Sequence, residues 1–317
     1  MKSWKIILIS GKKYGRKKGK VKLKIKYFQY GNGLKKICFV AGIHGIENTG
    51  IQIAFELMNF LVNTNLNDQV GILPLVNIEG VLKETRENPV DKKDINSSFV
   101  NRQPVSSSEK IAQYVWDVAG EYEWIIDLHS AGYARYLPHV IVYEDRVIED
   151  VKYFGFPFII KRKTGKSGKG STLLAMAAQK GKKACALELG GGQTIFTDDV
   201  NYGMKNIINF LYHLNLLSGY KKEELIEIEL SQVYLNDCRE IIKTAKKGIL
   251  FFRKSLGDDV KKGDTVAELL DIADFKLIKL NAPISGKIIY IRTKNNINSG
   301  ETAFMILKKE GGENKVR

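Results

Sequence analysis

Cysteine and histidine are scarce in this sequence of 317 residues. It contains three cysteines, Cys38, Cys185 and Cys238, and four histidines. An odd number of cysteines without metal-knuckle spacing argues against a disulfide framework and against a cysteine-based zinc module. Cys38 and Cys185 lie in apolar runs, where cysteine behaves as a small hydrophobic residue. Any metal or acid–base chemistry must therefore rest on the few histidines and on carboxylates.

Long hydrophobic runs are also missing. No stretch approaches the roughly 18 apolar residues of a membrane span. The first apolar run, Ile6–Ile9, is too short for the hydrophobic region of a secretion signal. We therefore expect a cytoplasmic protein without a membrane partner.

Acidic residues are outnumbered, and the formal net charge is +15. From Gly11 to Lys26 there are nine lysines or arginines and no acid. Aromatic residues are not spaced along this run as base stacking on nucleic acid requires, and lysines commonly protect exposed strand edges. We expect a solvated basic segment with no nucleic-acid partner, on a surface that steers a small anionic substrate towards a cleft.

Hydrophobic periodicity predicts an α/β domain in the first two thirds of the chain. Strands alternate with helices there, which is typical of a largely parallel or mixed sheet. A capping box at Ser106–Glu109 predicts the start of a helix that continues to Ala119. The other predicted strands are Val21–Tyr30, Lys36–Gly42, Val70–Val76, Trp124–Leu128, Ala184–Leu189 and two near Val140 and Phe156; the other predicted helices are Ile51–Val62 and Met204–Leu217.

Two features complete the predicted organisation. After Tyr220 short strands punctuated by glycines replace the alternating pattern, which predicts a catalytic domain at 1–219 and an all-β domain at 220–317. The polar segment from Asn77 to Pro104 has no periodicity, and so long a loop is usually functional. A second loop, Lys166–Ser171, is basic, and a place on the substrate side is consistent with its composition.

Two histidines stand where active sites of α/β sheets are found. His44 opens a His-Gly-Ile-Glu run that ends at Glu47, directly after a buried strand, and His129 ends another strand. The carboxyl ends of such strands open at the same edge of the sheet. Two histidines and one glutamate, with a fourth position left open, are typical of catalytic zinc. The pattern predicts one Zn²⁺ per chain.

With a third strand end at Glu188, before three glycines, the pattern resembles the succinylglutamate desuccinylase/aspartoacylase family of zinc carboxypeptidase-like hydrolases. The matching segments are Ala-Gly-Ile-His44-Gly-Ile-Glu47, Thr-Arg86 with Asp94-Ile-Asn96, Ile-Asp-Leu-His129-Ser and Leu-Glu188-Leu-Gly-Gly-Gly. The resemblance implies a mixed-sheet α/β catalytic domain followed by an all-β domain.

The resemblance also implies roles for individual residues. His44, Glu47 and His129 would ligate zinc, and Glu188 would be the general base. Arg86 would polarise the scissile carbonyl, and Asn96 would anchor substrate. A further carboxylate would orient a ligand histidine, and both Asp94 and Asp127 are candidates for this role.

One position departs from the family pattern. The family has an arginine that grips a substrate carboxylate where this chain has Ser97, and serine cannot make that bidentate contact. We consider that Arg102 reaches back to replace it, or that the substrate lacks the carboxylate. The expected reaction is hydrolysis of the amide bond of a small N-acyl amino acid. The acyl group, the amine half and any homo-oligomer stay open.

Two alternatives remain. One is a carboxypeptidase-like activity on short peptides. The other is a carrier or binding module, because the C-terminal region resembles a biotinyl/lipoyl-like barrel-sandwich domain. Its Lys276 lacks the flanking residues of a modified lysine, so we expect no swinging arm. His139 and His213 are expected to be structural.

Overall fold

A computed structural model describes residues 24–162, 172–220, 231–235 and 238–308. Most of the basic segment from Gly11 to Lys26, and the whole of the loop Lys166–Ser171, lie outside these residues. None of the helices in the described ranges is long and apolar enough to cross a membrane.

The described elements alternate between strands and helices as far as residue 213, and only strands follow. The helices are α1 (Asn48–Val62), α2 (Ile78–Leu82), α3 (Ser107–Ala119), α4 (Ile148–Val151), α5 (Leu173–Gln179) and α6 (Thr197–His213). The strands are β1 (Phe28–Tyr30), β2 (Lys35–Ala41), β3 (Gln69–Leu73), β4 (Trp124–His129), β5 (Ala134–Val142), β6 (Phe158–Lys161), β7 (Lys183–Gly191), β8 (Gln232–Leu235), β9 (Arg239–Lys243), β10 (Gly248–Phe252), β11 (Asp259–Val260), β12 (Thr265–Asp271), β13 (Lys276–Asn281), β14 (Gly286–Arg292), β15 (Asn296–Ile297) and β16 (Thr302–Lys308).

The first large part of the fold is a mixed sheet with helices on both faces. Its strands follow the order β1-β3-β2-β4-β7-β5, and the central strands β3, β2, β4 and β7 run parallel. All six residues of β4 are buried, as expected of a parallel strand covered on both faces. One hydrophobic core packs the sheet against α1 and α6, and a second packs it against α3 and α5. This is the α/β architecture that the sequence predicts.

The sheet continues without a break into the C-terminal part. β7 pairs with β5 along most of its length. The other edge of β5 pairs first with β14 and further along with β6, and β14 leads on to β16 and β9. A separate four-stranded sheet, β13-β12-β10-β15, packs against these strands around a third core. No α-helix follows α6 among the described residues, which agrees with an all-β C-terminal part. The barrel-sandwich form and the domain boundary stay predictions.

Local predictions succeed where apolar periodicity or a cap is present. Ser106 accepts a hydrogen bond from the Glu109 backbone in the predicted capping box, and α3 follows it. The helix predicted from Met204 instead begins at Thr197. Its first two turns are mostly polar, so they lack the apolar pattern of a helix. Asp199 is buried there, and an ion pair with Arg135 stabilises its carboxylate. The segment predicted as a loop after Asn77 contains the short helix α2.

The C-terminal core makes a testable contribution to stability. Phe304 is fully buried in it and packs edge-on against Phe252. Phe304→Ala should lower the free energy of unfolding by about 3–5 kcal/mol, because it leaves a cavity. Phe251→Ala, at a 39% exposed position of β10, is the control and should cost of the order of 0.5 kcal/mol. Denaturant unfolding measures both, and equal losses would contradict the burial of Phe304.

Candidate active site

The sheet order brings the predicted metal ligands together. β4 lies between β2 and β7 and pairs in parallel with both, so their carboxyl ends meet at one edge. His44 follows the end of β2, and Gly42 takes the left-handed conformation (φ 68°) that lets the chain turn there. Glu47 immediately precedes α1, and His129 is the last residue of β4. All three side chains are buried.

These three residues converge on one point. Glu47 Oε1 lies 2.7 Å from His44 Nδ1, and Glu47 Oε2 lies 2.8 Å from His129 Nδ1. The two imidazole rings have their centroids 4.9 Å apart. One possible ligand atom from each residue lies within 4.8 Å of the other two. Two imidazole nitrogens and a carboxylate oxygen at this spacing form a donor set that a single zinc ion can bridge.

A second carboxylate holds the other nitrogen of each histidine. His44 Nε2 lies 3.1 Å from Asp94 Oδ1, and His129 Nε2 lies 2.8 Å from Asp127 Oδ2. Both residues that the sequence offered as alternatives for this role therefore lie in position for it, each on a different histidine. A proton on Nε2 directed at a carboxylate leaves the Nδ1 lone pair for a metal.

The electrostatics of the cluster suit a bound cation. Burial alone would raise the pKa of Glu47, but His44 and His129 outweigh it and hold that pKa well below its usual range. Burial acts to lower the pKa of His129, and Asp127 and Glu47 overcome it, so that this pKa lies well above its ordinary value. The carboxylates thus favour positive charge between them, which a divalent metal supplies.

Glu188 lies beside this cluster. It is the direct neighbour of His129 in the ladder between β4 and β7, so both side chains leave the same face of the sheet. Burial raises the pKa of Glu188, His129 opposes this effect and Glu47 adds to it, and the net pKa is raised. A carboxylate with a raised pKa next to a metal site is suited to accept and return a proton.

Arg86 and Asn96 also reach the site. Arg86 donates to Glu47 Oε1 at 3.1 Å and to Asp94 Oδ2 at 3.3 Å, and its side chain is 47% exposed. The Oδ1 of Asn96 accepts a hydrogen bond from the backbone of Leu173, and its Nδ2 lies 3.3 Å from His129 Nε2. Both side chains line the same cavity as the histidines.

Arg102 lies outside this cavity. It forms a bidentate ion pair with Glu109, with Nη2 at 2.8 Å from Oε1 and Nη1 at 3.2 Å from Oε2. That carboxylate also caps α3 by accepting from the backbone of Val105 and Ser106. Ser97 lines the cavity and Arg102 does not. The geometry therefore gives no support to a replacement of the family arginine by Arg102.

The cavity also contains residues that sequence reasoning missed. Its volume is about 420 Å³, and Arg162, Tyr136, Tyr290 and Arg292 contribute to its lining. The Nε of Arg162 is buried and has no hydrogen-bond partner within the described ranges. Arg292 is instead held by Glu301 and by backbone carbonyls. Only the pairing of β5 with β14 brings Tyr290 and Arg292 here, and no local pattern indicates that pairing.

The other two histidines lie elsewhere. His139 is fully buried beneath Tyr136, with Nδ1 at 2.9 Å from the carbonyl of Leu137. His213 stacks on Tyr153 and lies 3.1 Å from Asp150. Neither residue lines the cavity, in keeping with structural roles.

Comparison with known proteins assigns the family. Residues 33–214 match the succinylglutamate desuccinylase/aspartoacylase catalytic domain. This match covers more than half of the chain, and the chain belongs to that family. It is also 28% identical over 302 residues to N-alpha-acetyl-L-2,4-diaminobutyric acid deacetylase of Halomonas elongata, covering 91% of this chain and 86% of that protein.

Solved structures share the fold. A succinylglutamate desuccinylase from a Silicibacter species superposes with a TM-score of 0.79 at 23% identity and covers 94% of this chain and 93% of its own. The product-bound ectoine utilization protein EutE (DoeB) from Ruegeria pomeroyi gives a TM-score of 0.76 at 21% identity, covering 91% and 90%. Both the catalytic and the C-terminal parts of this chain therefore have counterparts in known folds.

The ligand geometry makes a prediction about metal content. The purified protein should bind about one zinc per chain, as three protein ligands with an open position do in catalytic sites. His129→Ala should lose most of it, whereas His213→Ala, a histidine outside the cavity, should keep it. Elemental analysis after dialysis measures this. Equal zinc in both variants, or none in the wild type, would refute the assignment.

Proposed function

We propose that this protein is a zinc-dependent hydrolase of the amide bond in a small N-acyl amino acid or related compound. The observation that carries the proposal is the cluster of His44, Glu47 and His129 with Glu188 next to it in one cavity. The name of the Halomonas relative, a deacetylase, supports a reaction of this class.

His44, Glu47 and His129 would hold the zinc ion. When bound, zinc supplies a Lewis acid that lowers the pKa of water and polarises a carbonyl oxygen. Asp94 and Asp127 would keep both imidazoles in the tautomer that offers Nδ1.

Glu188 would move the proton in the reaction. Its carboxylate accepts a proton from the attacking water and returns it to the nitrogen of the departing amine. Its raised pKa and its place beside His129 suit both steps. Arg86, at the rim of the cluster, would donate to the carbonyl oxygen as negative charge develops there.

The substrate would carry an anionic group. Arg162 lines the cavity, and its buried Nε is bonded to no described residue. A half-buried guanidinium of this kind favours a carboxylate. Ser97 occupies the position where the family has its carboxylate-gripping arginine, so the carboxylate of this substrate would be bound from the Arg162 side.

The cavity favours a small molecule over a peptide. Tyr290 and Arg292 on β14 and Met305 on β16 close one side of it, which leaves little room for a polypeptide on both sides of the scissile bond. The carrier alternative has less support, since Lys276 follows an exposed Phe275 rather than the residues that flank modified lysines.

Replacement of Glu188 separates metal binding from proton transfer. Glu188→Gln should retain zinc and lose at least about 10²-fold in kcat, the usual size of a general-base effect. Glu56→Gln, on the exposed face of α1, is the matched control and should behave as wild type. Zinc content and hydrolysis of N-acetyl, N-formyl and N-succinyl amino acids give the readouts. Near-normal turnover by Glu188→Gln would exclude it as the base.

Arg162 should determine recognition of the substrate carboxylate. Arg162→Met should reduce kcat/KM for N-acyl amino acids by roughly 10- to 100-fold, the value of a hydrogen bond to a charged group. It should have much less effect on the same compounds with the α-carboxylate amidated. Arg102→Ala is the control, and its kcat/KM should stay close to that of wild type. A large loss in Arg102→Ala with none in Arg162→Met would reverse this assignment.

A further inference from the structure

The helix that begins directly after Glu47 is anchored to the turn that follows Glu188. The backbone N–H of Asn48 donates to the carbonyl of Gly192 at 3.1 Å. The hydroxyl of Thr49, which is fully buried, donates to the carbonyl of Gly191. Two successive residues after the metal ligand therefore bind the glycine turn that ends β7. We define this turn as Gly190–Gly192.

An ion pair fixes the other side of the glycine turn. Arg135 on β5 binds Asp199 in the first turn of α6, with Nε and Nη2 at 2.9 and 2.8 Å from the two carboxylate oxygens. Asp199 packs directly under Gly190, where a Cβ would lie 2.6 Å from Asp199 Oδ2. The glycine turn is thus held between this ion pair and the start of α1.

The start of α1 also contacts the strand that carries His129. A Cβ at Gly50 would lie 2.7 Å from the carbonyl oxygen of Leu128, so the helix rests on the backbone next to the second ligand histidine. Because α1 is fixed at Leu128 and at Gly191, its first residue has little freedom to shift relative to β4 or β7. The side chain of Glu47 does not cap the start of α1. The hydrogen bonds of the Thr49 hydroxyl and the Asn48 N–H hold this end of the helix instead.

We propose that Thr49 is a positioning residue that sets the Glu47 ligand relative to Glu188 through the carbonyl of Gly191, with Asp199 supporting the turn from behind. The inference rests on the proposed function for its kinetic part, but zinc affinity tests it without any substrate. Loss of the hydroxyl frees the start of α1, and Glu47 moves relative to His129 and Glu188.

Substitutions at the two ends of α1 provide the test. Thr49→Val removes the hydroxyl and keeps the shape of the side chain, and Thr49→Ser keeps the hydroxyl. The control is Thr64→Val, because Thr64 donates in the same way to a backbone carbonyl, that of Phe60 at 2.8 Å, at the far end of the helix. Competition with a zinc chelator, thermal unfolding and steady-state kinetics are measured on each full-length variant.

Thr49→Val should bind zinc about 10-fold or more weakly, the usual effect of losing a residue that orients a metal ligand. Its kcat should fall by about 10-fold or more with KM nearly unchanged, since misplacement of catalytic groups affects the reaction step. Thr49→Ser should restore both values. Thr64→Val should lower the melting temperature without changing zinc affinity or kcat.

Two results would overturn the inference. One is wild-type zinc affinity and kcat in Thr49→Val, with a loss of melting temperature like that of Thr64→Val. The other is failure of Thr49→Ser to restore either value. If Thr49→Val does not fold, Asp199→Asn replaces it, with the same expected loss of zinc affinity and kcat. A wild-type protein that hydrolyses no N-acyl amino acid would refute the proposed function, and the chelator competition would still decide the role of Thr49.

Discussion

The site depends on the parallel pairing of β4 with both of its neighbours. Hydrogen bonds between β2 and β4 and between β4 and β7 set the register in which His129 and Glu188 stand side by side and the turn bearing His44 lies next to them. The rings of His44 and His129, far apart in the chain, thereby have their centroids 4.9 Å from each other. A shift of β4 by one residue would turn His129 and Asp127 to the opposite face of the sheet. The buried apolar residues that fix this register therefore also fix the positions of the site residues.

The polar side chains of the site are linked by hydrogen bonds, and each restricts the orientation of the next. Asp94 and Asp127 fix the imidazoles, the imidazoles fix the two oxygens of Glu47, and the backbone of Ser130 adds a third contact to Glu47 Oε2 at 3.2 Å. Arg86 joins Glu47 to Asp94 from the solvent side. The candidate ligands are thus held next to one another by hydrogen bonds to their neighbours.

Much of the candidate site can be predicted from the sequence because the relevant signals are local. A strand followed by glycine and then histidine, or a strand ending in Asp-Leu-His, indicates both an element and the place of its functional residue. The position of Arg102 could not be obtained in this way. The sequence indicates the capping box at Glu109, but no sequence pattern indicates that Arg102, seven residues earlier, binds this buried carboxylate. Apolar periodicity does not indicate the early start of α6 for a related reason, since the buried Asp199 there is paired with Arg135 and adds no apolar residue to the pattern.

The division of one edge of β5 between β14 and β6 has a consequence for how ligands enter. One edge of this strand is bonded to β7, and the other edge is bonded to β14 at its start and to β6 at its end. The wall formed by Tyr290 and Arg292 therefore belongs to the same hydrogen-bonded sheet as Glu188. That wall cannot move away from the cavity as a rigid body without breaking the hydrogen bonds between β5 and β14. Small molecules must instead pass through openings between side chains and loops, and the residues at those openings, rather than a hinge between two bodies, would govern the rate of exchange with solvent.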